Sequence, residues 1–200
     1  MKNSRIGYFD KIAHEWDRWH DPSSVAERLR PGLQAFDIGQ GEQLLDVGCG
    51  TGNLTMALAE IAPTAAIHAI DISSNMIAIA KSKIPSARVN WYVADASSLP
   101  LGNGSIDRIF CYSVWPHFND KRIVTEEFCR VLKPRGLLYF WHHGPRERIN
   151  AIHATSDSSI RGDELSSAQE TARVLESLGL SVQKSQETQS EYCVIARTHG

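Results

Sequence analysis

A glycine-rich stretch at residues 44–55 constrains the fold more than any other part of the sequence. It reads L-L-D-V-G-C-G-T-G-N-L-T, in which a short apolar run leads into glycines at alternate positions. Apolar residues at helical spacing follow, so the stretch predicts a buried strand, a tight turn and the start of a helix. Alternate glycines let a ligand lie against the backbone, and a helix N-terminus offers N–H groups without intrahelical partners. We therefore predict a cradle for a small molecule at this turn.

The rest of the chain alternates apolar segments of strand length with segments of helical spacing. This order predicts an α/β fold, a three-layer αβα doubly wound architecture with a seven-stranded, mostly parallel sheet. The last two strands have few residues between them, so we expect them to pair as a C-terminal antiparallel hairpin. The predicted strands cover 42–47, 66–70, 88–93, 106–112, 137–141, 180–186 and 191–197. The predicted helices cover 4–20, 23–37, 53–63, 74–83, 121–132, 146–154 and 165–178.

The composition is that of an ordinary globular protein, with 42% hydrophobic and 22% charged residues. A formal charge of −2 and a pI near 6.4 predict no general attraction to nucleic acid or to an anionic membrane. The first residues do not read as a leader peptide, and no apolar run is long enough to span a bilayer. The four cysteines are isolated, which is typical of reduced thiols. We expect a cytoplasmic protein.

The residues around the glycines indicate which ligand the cradle prefers. Asp71 stands at the end of the second predicted strand, 19 positions after Gly52, where a carboxylate can accept both hydroxyls of a ribose. The pattern D-x-G-x-G-x-G is one residue tighter than the dinucleotide fingerprint G-x-G-x-x-G, whose helix receives a pyrophosphate. Asp46 makes the loop acidic, which favours a cation over a phosphate. The sequence therefore favours a ribose ligand that carries an ammonium group and no phosphate.

Several ordered segments resemble the motifs of class I S-adenosylmethionine-dependent methyltransferases. L-L-D-V-G-C-G-T-G-N-L is similar to their first motif, and H-A-I-D-I-S is similar to the motif of their second strand. V-A-D-A resembles the segment whose acid holds the adenine amino group, and E-F-C-R-V-L-K-P-R-G-L-L resembles the turn before their fifth strand. Y-F-D-K-I-A-H-E-W-D resembles the start of many small-molecule members, where the N-terminal helix closes over the cofactor. The segments cover 44–54, 68–73, 93–96, 127–138 and 8–17.

The resemblance implies a Rossmann-like methyltransferase fold, S-adenosyl-L-methionine as cofactor and S-adenosyl-L-homocysteine as its product. It implies that Asp46 and the loop glycines hold the methionine part, that Asp71 holds the ribose, and that Asp95 accepts from the adenine N6. Arg135 departs from the family, which usually has glycine there. The predicted cofactor-binding residues are Tyr8, Trp16, Asp46, Gly48, Cys49, Gly50, Gly52, Asp71, Ile72, Met76, Asp95, Ala96, Tyr112 and Ser113.

Structural explanations of the same residues stay open. The glycines alternatively pack the helix on the strand, Asp95 caps a turn, and Ile72 and Met76 are ordinary core residues. The chain is predicted to be a single domain over 1–200. Its parts are a helical lid at 1–38, a cofactor-binding core at 39–143, and an acceptor-side segment with the C-terminal hairpin at 144–200.

The predicted catalytic residues are four histidines near the ends of the fourth and fifth strands. Arg146, Asn150 and His153 share one face of a predicted helix, with two histidines at its base. A histidine there is a candidate base, substrate donor or soft-metal ligand, and alternatively a structural or solvated residue. No metal-ligand spacing such as H-x-x-x-H is present, so we predict no metal site. Trp115 is a further candidate for the acceptor pocket. The four histidines are His117, His142, His143 and His153.

These features predict an enzyme that moves a methyl group to a small-molecule acceptor by in-line displacement. Proximity and orientation supply most of such catalysis, so no particular catalytic residue is required. We expect a small-molecule acceptor, no nucleic-acid or membrane partner, and a monomer or homodimer. Two alternatives stay open, namely a non-catalytic S-adenosylmethionine-binding protein and an NAD-dependent oxidoreductase.

Overall fold

The computed structural model describes residues 4–200, which divide into two compact units, 4–95 and Ala96–Gly200. The predicted lid segment includes residues 1–3, which lie outside the described residues. The strands belong to one seven-stranded sheet in the order β3-β2-β1-β4-β5-β7-β6. This order, with a parallel majority and an antiparallel end, is the predicted doubly wound sheet. The division of the single predicted domain into lid, core and acceptor-side segment stays a prediction.

The first unit joins two N-terminal helices to three parallel strands. Strand β2 pairs in parallel with β1 on one side and with β3 on the other. Both β1 and β2 are mostly buried, which explains their near-continuous apolar sequences. The Ser73 hydroxyl accepts the N–H of Met76 at 3.1 Å and so begins the fourth helix where its sequence predicts. The elements are α1 Ser4–Trp19, α2 Pro22–Ala35, β1 Gln43–Val47, α3 Asn53–Ile61, β2 Ala66–Asp71, α4 Ser74–Lys83 and β3 Val89–Val93.

The second unit contains the remaining four strands. Strands β4 and β5 are parallel, whereas β7 pairs antiparallel with both β5 and β6, which confirms the predicted hairpin. A 3₁₀ turn at Trp115–His117, which the sequence does not predict, follows β4. Buried aromatic side chains fill this unit, including Phe110, Phe128 and Phe140. The elements are β4 Ile106–Tyr112, α5 Lys121–Val131, β5 Leu132–His143, α6 Arg146–Ala154, α7 Ala168–Ser177, β6 Ser181–Glu187 and β7 Glu191–Arg197.

Two elements begin three or more residues away from their predicted starts. Strand β5 begins at Leu132 instead of residue 137, and its register against β4 shifts between Ile106 and Arg108. The K-P-R-G segment therefore lies in this irregular start of the strand, and Arg135 adopts a left-handed φ of 64°. Helix α7 begins at Ala168 instead of residue 165 because Ser167 forms a capping box there. Among the described residues, no helix has the length and apolar character needed to cross a membrane.

Candidate functional site

The glycine loop of the first unit joins β1 to α3, and its glycines have left-handed backbone conformations. Gly50 has a φ of 54° and Gly52 a φ of 84°, so a side chain at either position is strained. A Cβ at Gly52 would lie 2.9 Å from the Ile84 side chain, so Gly52 packs the loop against α4. A Cβ at Gly50 would instead meet one atom within 4 Å, Trp16 Nε1 at 3.8 Å. The packing explanation thus fits Gly52, while Gly50 leaves room beside the backbone.

Two carboxylates lie beside this loop. The Asp71 carboxylate accepts the Gly50 N–H at 2.9 Å and the Ser73 N–H at 2.8 Å, so backbone groups on both sides orient it. Asp46 is 1% exposed and accepts the Thr55 hydroxyl at 2.6 Å. Burial, assisted by the negative charge of Asp71, raises the pKa of Asp46 to about 7. A cation near this pair would therefore be favoured.

Two aspartates hold helix α1, Asp17 to the glycine loop and Asp10 to the start of α4. Asp10 accepts the Ser73 hydroxyl at 2.6 Å and the Asn75 N–H at 3.2 Å. Asp17 accepts the Thr51 hydroxyl at 2.5 Å and lies 2.8 Å from Lys83 Nζ. Asp10 and Asp17 are seven positions apart, so they lie on the same face of the helix. This spacing could have been recognised from the sequence alone. Our prediction named Tyr8 and Trp16 on this helix and missed both aspartates.

Other predicted cofactor residues of the first unit follow a strand, begin a helix or belong to the loop. Met76, in the first turn of α4, is 1% exposed, Ile72 is half-buried just before that helix, and Asp95 is exposed just after β3. Cys49 and Gly48 belong to the loop, where the Cys49 N–H donates to the Ile70 carbonyl at 2.9 Å.

Three other predicted residues lie in the second unit. Ser113 has a φ of 57° and donates its N–H to the Trp141 carbonyl at 3.0 Å. Tyr112 ends β4, and Ala96 is 8% exposed. A left-handed conformation at a serine is uncommon and is typical of functional loops.

Three histidines and one aspartate of the second unit lie together, and we call them the histidine cluster: His117, His142, His153 and Asp163. His117 Nδ1 lies 2.7 Å from Asp163 Oδ2, and His153 Nδ1 lies 2.5 Å from the Asp163 backbone oxygen. The rings of His117 and His153 have centroids 4.9 Å apart. Asp163 is 5% exposed, so its carboxylate depends on such partners.

His142 is the most buried member of the cluster, at 2% exposure. Burial chiefly, with the nearby His117 and His153 adding to it, lowers the pKa of His142 to about 3. Its ring is therefore neutral at physiological pH. Its Nε2 is buried and has no hydrogen-bond partner within residues 4–200. A buried polar atom in this condition is rare in native proteins and calls for an explanation.

The prediction placed His142 and His143 together below α6, and the structure separates them. Successive residues of a strand point to opposite faces, so the two side chains diverge. His143 Nδ1 lies 3.3 Å from the Tyr112 hydroxyl, and its ring packs near Trp141. His142 instead packs edge-on against Tyr192, with ring centroids 5.5 Å apart.

The loop that carries Asp163 is attached to α6. The Asn150 side chain accepts the Leu165 N–H at 2.8 Å and donates to the Leu165 carbonyl at 3.1 Å. Asn150 and His153 thus use the predicted helix face to hold this loop, whereas Arg146 pairs with Glu187. Asp163 was missed because no motif or periodicity marks it. Across residues 4–200, no group of three or more His, Cys, Asp or Glu could hold a metal ion.

Trp115 does not line an open pocket as the sequence suggested. Its side chain is 0% exposed and packs against Phe140, with ring centroids 4.1 Å apart. Its Nε1–H points to the Thr171 hydroxyl at 3.3 Å, and that hydroxyl also accepts the Tyr192 O–H. Trp115 is therefore a core residue of this unit.

Residues 45–140 match a protein family described as a methyltransferase domain. The O-methyltransferase cnsE of Penicillium expansum is 36% identical over 127 residues, which are 58% of this chain and 46% of the relative. A demethylmenaquinone methyltransferase of Bacillus licheniformis is 31% identical over 141 residues, which are 68% of this chain and 61% of the relative. Residues 45–140 belong to the class I S-adenosylmethionine-dependent methyltransferases. The family predicted from the motifs is confirmed.

Solved structures are similar to this chain in fold. A SAM-dependent methyltransferase from Aquifex aeolicus superimposes with a TM-score of 0.68 at 22% identity, covering 88% of this chain and 97% of that one. The predicted fold class is therefore confirmed. The chain spans about half the length of several curated relatives that it matches.

Proposed function

We propose that this protein transfers a methyl group from S-adenosyl-L-methionine to a small-molecule acceptor. The observation that carries the proposal is the glycine loop with Asp71 beside it. The Asp71 carboxylate is oriented by the Gly50 N–H at 2.9 Å, at the carboxyl end of β2. Ligands of doubly wound sheets bind outside the carboxyl ends of the strands.

The residues present fit the cofactor by their chemistry. Asp71 offers a carboxylate to ribose hydroxyls, and Gly50 leaves space beside the backbone that a side chain would occupy. Asp46 and Asp71 provide negative charge for an ammonium and a sulfonium group. Asp95 is proposed to accept from the adenine N6, with Ile72 and Met76 against the adenine. Cys49, Ala96, Tyr112 and Ser113 remain predicted cofactor residues on the basis of the family motifs.

The cofactor, when bound, supplies an activated methyl group. The chain contributes alignment of the acceptor and exclusion of water, because these account for most of the rate gain in such a transfer. Helix α1 is suited to the second task, since Asp17 holds it against the loop, Asp10 holds it against the start of α4, and Trp16 lies beside Gly50. These contacts support the predicted lid role of Tyr8, Trp16 and their helix.

The relatives support a small-molecule acceptor. Curated relatives are named O-methyltransferase, malonyl-(acyl-carrier protein) O-methyltransferase and demethylmenaquinone methyltransferase. The net charge of −2 argues against a nucleic-acid partner. The glycine spacing and the acid at Asp46 oppose an NAD-dependent oxidoreductase, because pyrophosphate would lie against negative charge.

Thermal unfolding with S-adenosylhomocysteine or NAD tests the cofactor. A ligand at a hundredfold excess over its Kd stabilises by roughly 2.7 kcal/mol, which raises the Tm of a chain of this size by about 5–10 °C. We expect this increase with S-adenosylhomocysteine and none with NAD. Release of S-adenosylhomocysteine from S-adenosylmethionine in the presence of metabolite pools then tests turnover. Tight binding with no release from any pool would favour the non-catalytic alternative.

A further inference from the structure

We propose that the histidine cluster binds a hydroxyl group of the methyl acceptor and removes its proton, with His117 as the base and Asp163 as the residue that positions it. The inference rests on the proposed function, because it names the acceptor class of the same reaction. It assigns the cluster a substrate whose hydroxyl is still protonated near neutral pH, such as a phenol or an enol.

The hydrogen bonds of Asp163 determine which ring nitrogen of each histidine carries a hydrogen. The backbone oxygen of Asp163 can only accept, so His153 Nδ1, 2.5 Å away, carries the hydrogen. The Asp163 carboxylate accepts in the same way from His117 Nδ1 at 2.7 Å. In a neutral ring, the lone pair then belongs to Nε2. Asp163 thus turns both imidazoles so that Nε2 is the proton-accepting atom.

The position of Asp163 is itself well determined. Its N–H donates to the Ile160 carbonyl at 2.9 Å, and two residues later Leu165 is held by both sides of the Asn150 amide. Asp163 and His117 are 5% and 13% exposed, so the ion pair that forms when His117 takes a proton is shielded from water. A carboxylate that stabilises an imidazolium in this way is the arrangement used by general bases.

The buried Nε2 of His142 is the observation that points to a ligand. Leaving a buried polar atom without a partner costs about 1–3 kcal/mol. A hydroxyl can both donate and accept, so it satisfies Nε2 in either tautomer of the neutral ring. If the cluster served only to hold the loop at Asp163, the bonds of His117 and His153 would be explained. That role would leave the buried nitrogen of His142 unexplained.

The O–H bond of the acceptor breaks, and its proton passes to Nε2 of His117. The oxygen lone pair forms the new bond to the methyl carbon, while the electron pair of the old carbon–sulfur bond stays on sulfur. The positive charge therefore ends on the His117 imidazolium beside Asp163, and water later takes the proton. General-base catalysis of this kind contributes about 10²–10⁴-fold.

Side-chain proton–nitrogen NMR of the full chain with saturating S-adenosylhomocysteine tests the positioning role without turnover. His117→Gln, His142→Gln and His153→Gln assign the signals, and His199→Gln is the control at an exposed histidine. We expect His117 in the Nδ1–H tautomer. Asp163→Asn should shift it toward the Nε2–H tautomer, and Asp163→Glu should restore part of the parent signal. An Nε2–H tautomer in the parent, or no change in Asp163→Asn, would overturn the proposal.

An assay of S-adenosylhomocysteine release with substituted phenols as acceptors tests whether His117 acts as the base. The probes run from 4-nitrophenol, the most acidic, to 4-methoxyphenol, with the matching thiophenols and anilines alongside. We expect His117→Gln to lose at least a hundredfold in kcat on 4-methoxyphenol and less on 4-nitrophenol, which is already partly ionised near neutral pH. The Kd of S-adenosylhomocysteine should stay within twofold of the parent. Asp163→Asn should lower kcat by tenfold or more with a smaller change in KM.

The two proposals fail in different ways. A parent chain that does not bind S-adenosylhomocysteine refutes the proposed function. A parent that binds it and methylates phenols, with His117→Gln within threefold across the series, refutes only the role of the cluster. Methylation of thiophenols or anilines without any phenol refutes the acceptor class. If Asp163→Asn does not fold, His117→Gln decides the matter, because its side-chain amide keeps a donor for Asp163 but supplies no base.

Discussion

Replacing Asp46 by asparagine should change how the stability of the protein depends on pH. The pKa of Asp46 rises from 3.8 to about 7 on folding, because burial disfavours the charged carboxylate. The folded state therefore binds the proton more tightly than the unfolded state. The stabilisation that comes from this tighter proton binding is fully present below pH 3.8 and is lost as the pH rises to 7. Each pH unit in this window corresponds to about 1.4 kcal/mol, so pH 5 to 8 spans roughly 2–3 kcal/mol.

The asparagine variant has no proton to lose, so its difference from the parent isolates this group. Urea unfolding at pH 5 and pH 8 gives the free energy of unfolding of both proteins. We expect the free energy of unfolding of Asp46→Asn, measured relative to the parent, to increase by roughly 2–3 kcal/mol from pH 5 to pH 8. Asp21→Asn is the control, because hydrogen bonds from Ser24 lower the pKa of this exposed carboxyl from 3.8, so it titrates below this pH range and should give a constant difference. A difference for Asp46→Asn that also stays constant within about 0.5 kcal/mol would contradict the raised pKa of Asp46.

The remaining predictions concern other residues of the first unit and the K-P-R-G segment. Asp71→Ala should weaken S-adenosylhomocysteine binding by about 1–3 kcal/mol, or roughly 5- to 150-fold in Kd, by calorimetry below the Tm of the variant. An unchanged Kd would exclude Asp71 from the ribose site. Asp17→Asn should lower the free energy of unfolding by about 1–2 kcal/mol, because it removes the ion pair with Lys83, while Glu15→Gln at the exposed pair with Arg18 should cost under about 0.5 kcal/mol. Equal effects in urea melts would contradict the role of Asp17. Arg135→Gly should raise the free energy of unfolding by about 0.5–1 kcal/mol by relieving a φ of 64°, and Gly136→Ala should lower it, since its Cβ would lie 2.9 Å from the Lys133 carbonyl oxygen. A loss of stability in Arg135→Gly would mean that the arginine side chain contributes more than its backbone costs.

Local signals predicted most of the fold correctly. Ser73 and Asp120 cap helices at the expected places because a cap is a contact between residues three or fewer positions apart. The glycine loop was predictable for the same reason, since alternate glycines demand a turn wherever they occur. The start of β5 was not, because the K-P-R-G segment has the sequence of a helix stop, whereas the strand begins there by pairing with β4, where Leu132 faces the distant Ile106.

The candidate site was predictable where a motif or a strand end marks its residues. Asp46 and Gly50 belong to the glycine-rich stretch, and Asp71 ends the strand that follows it. Asp163 is 46 positions from His117 and sits in a segment without periodicity, so nothing in the sequence links the two. The separation of His142 from His143 follows from the two-residue period of a strand, but only once β5 is known to extend through both residues.

Calorimetric titration of the full chain with S-adenosylhomocysteine, repeated with NAD, measures which of the two ligands the glycine loop binds. We predict saturable 1:1 binding of S-adenosylhomocysteine at the glycine loop. That binding should be stronger at pH 8 than at pH 5, because charged Asp46 favours the ligand's ammonium group, and Asp46→Asn should remove this pH dependence. NAD should produce no saturable heat. Binding of NAD with no binding of S-adenosylhomocysteine would contradict the account.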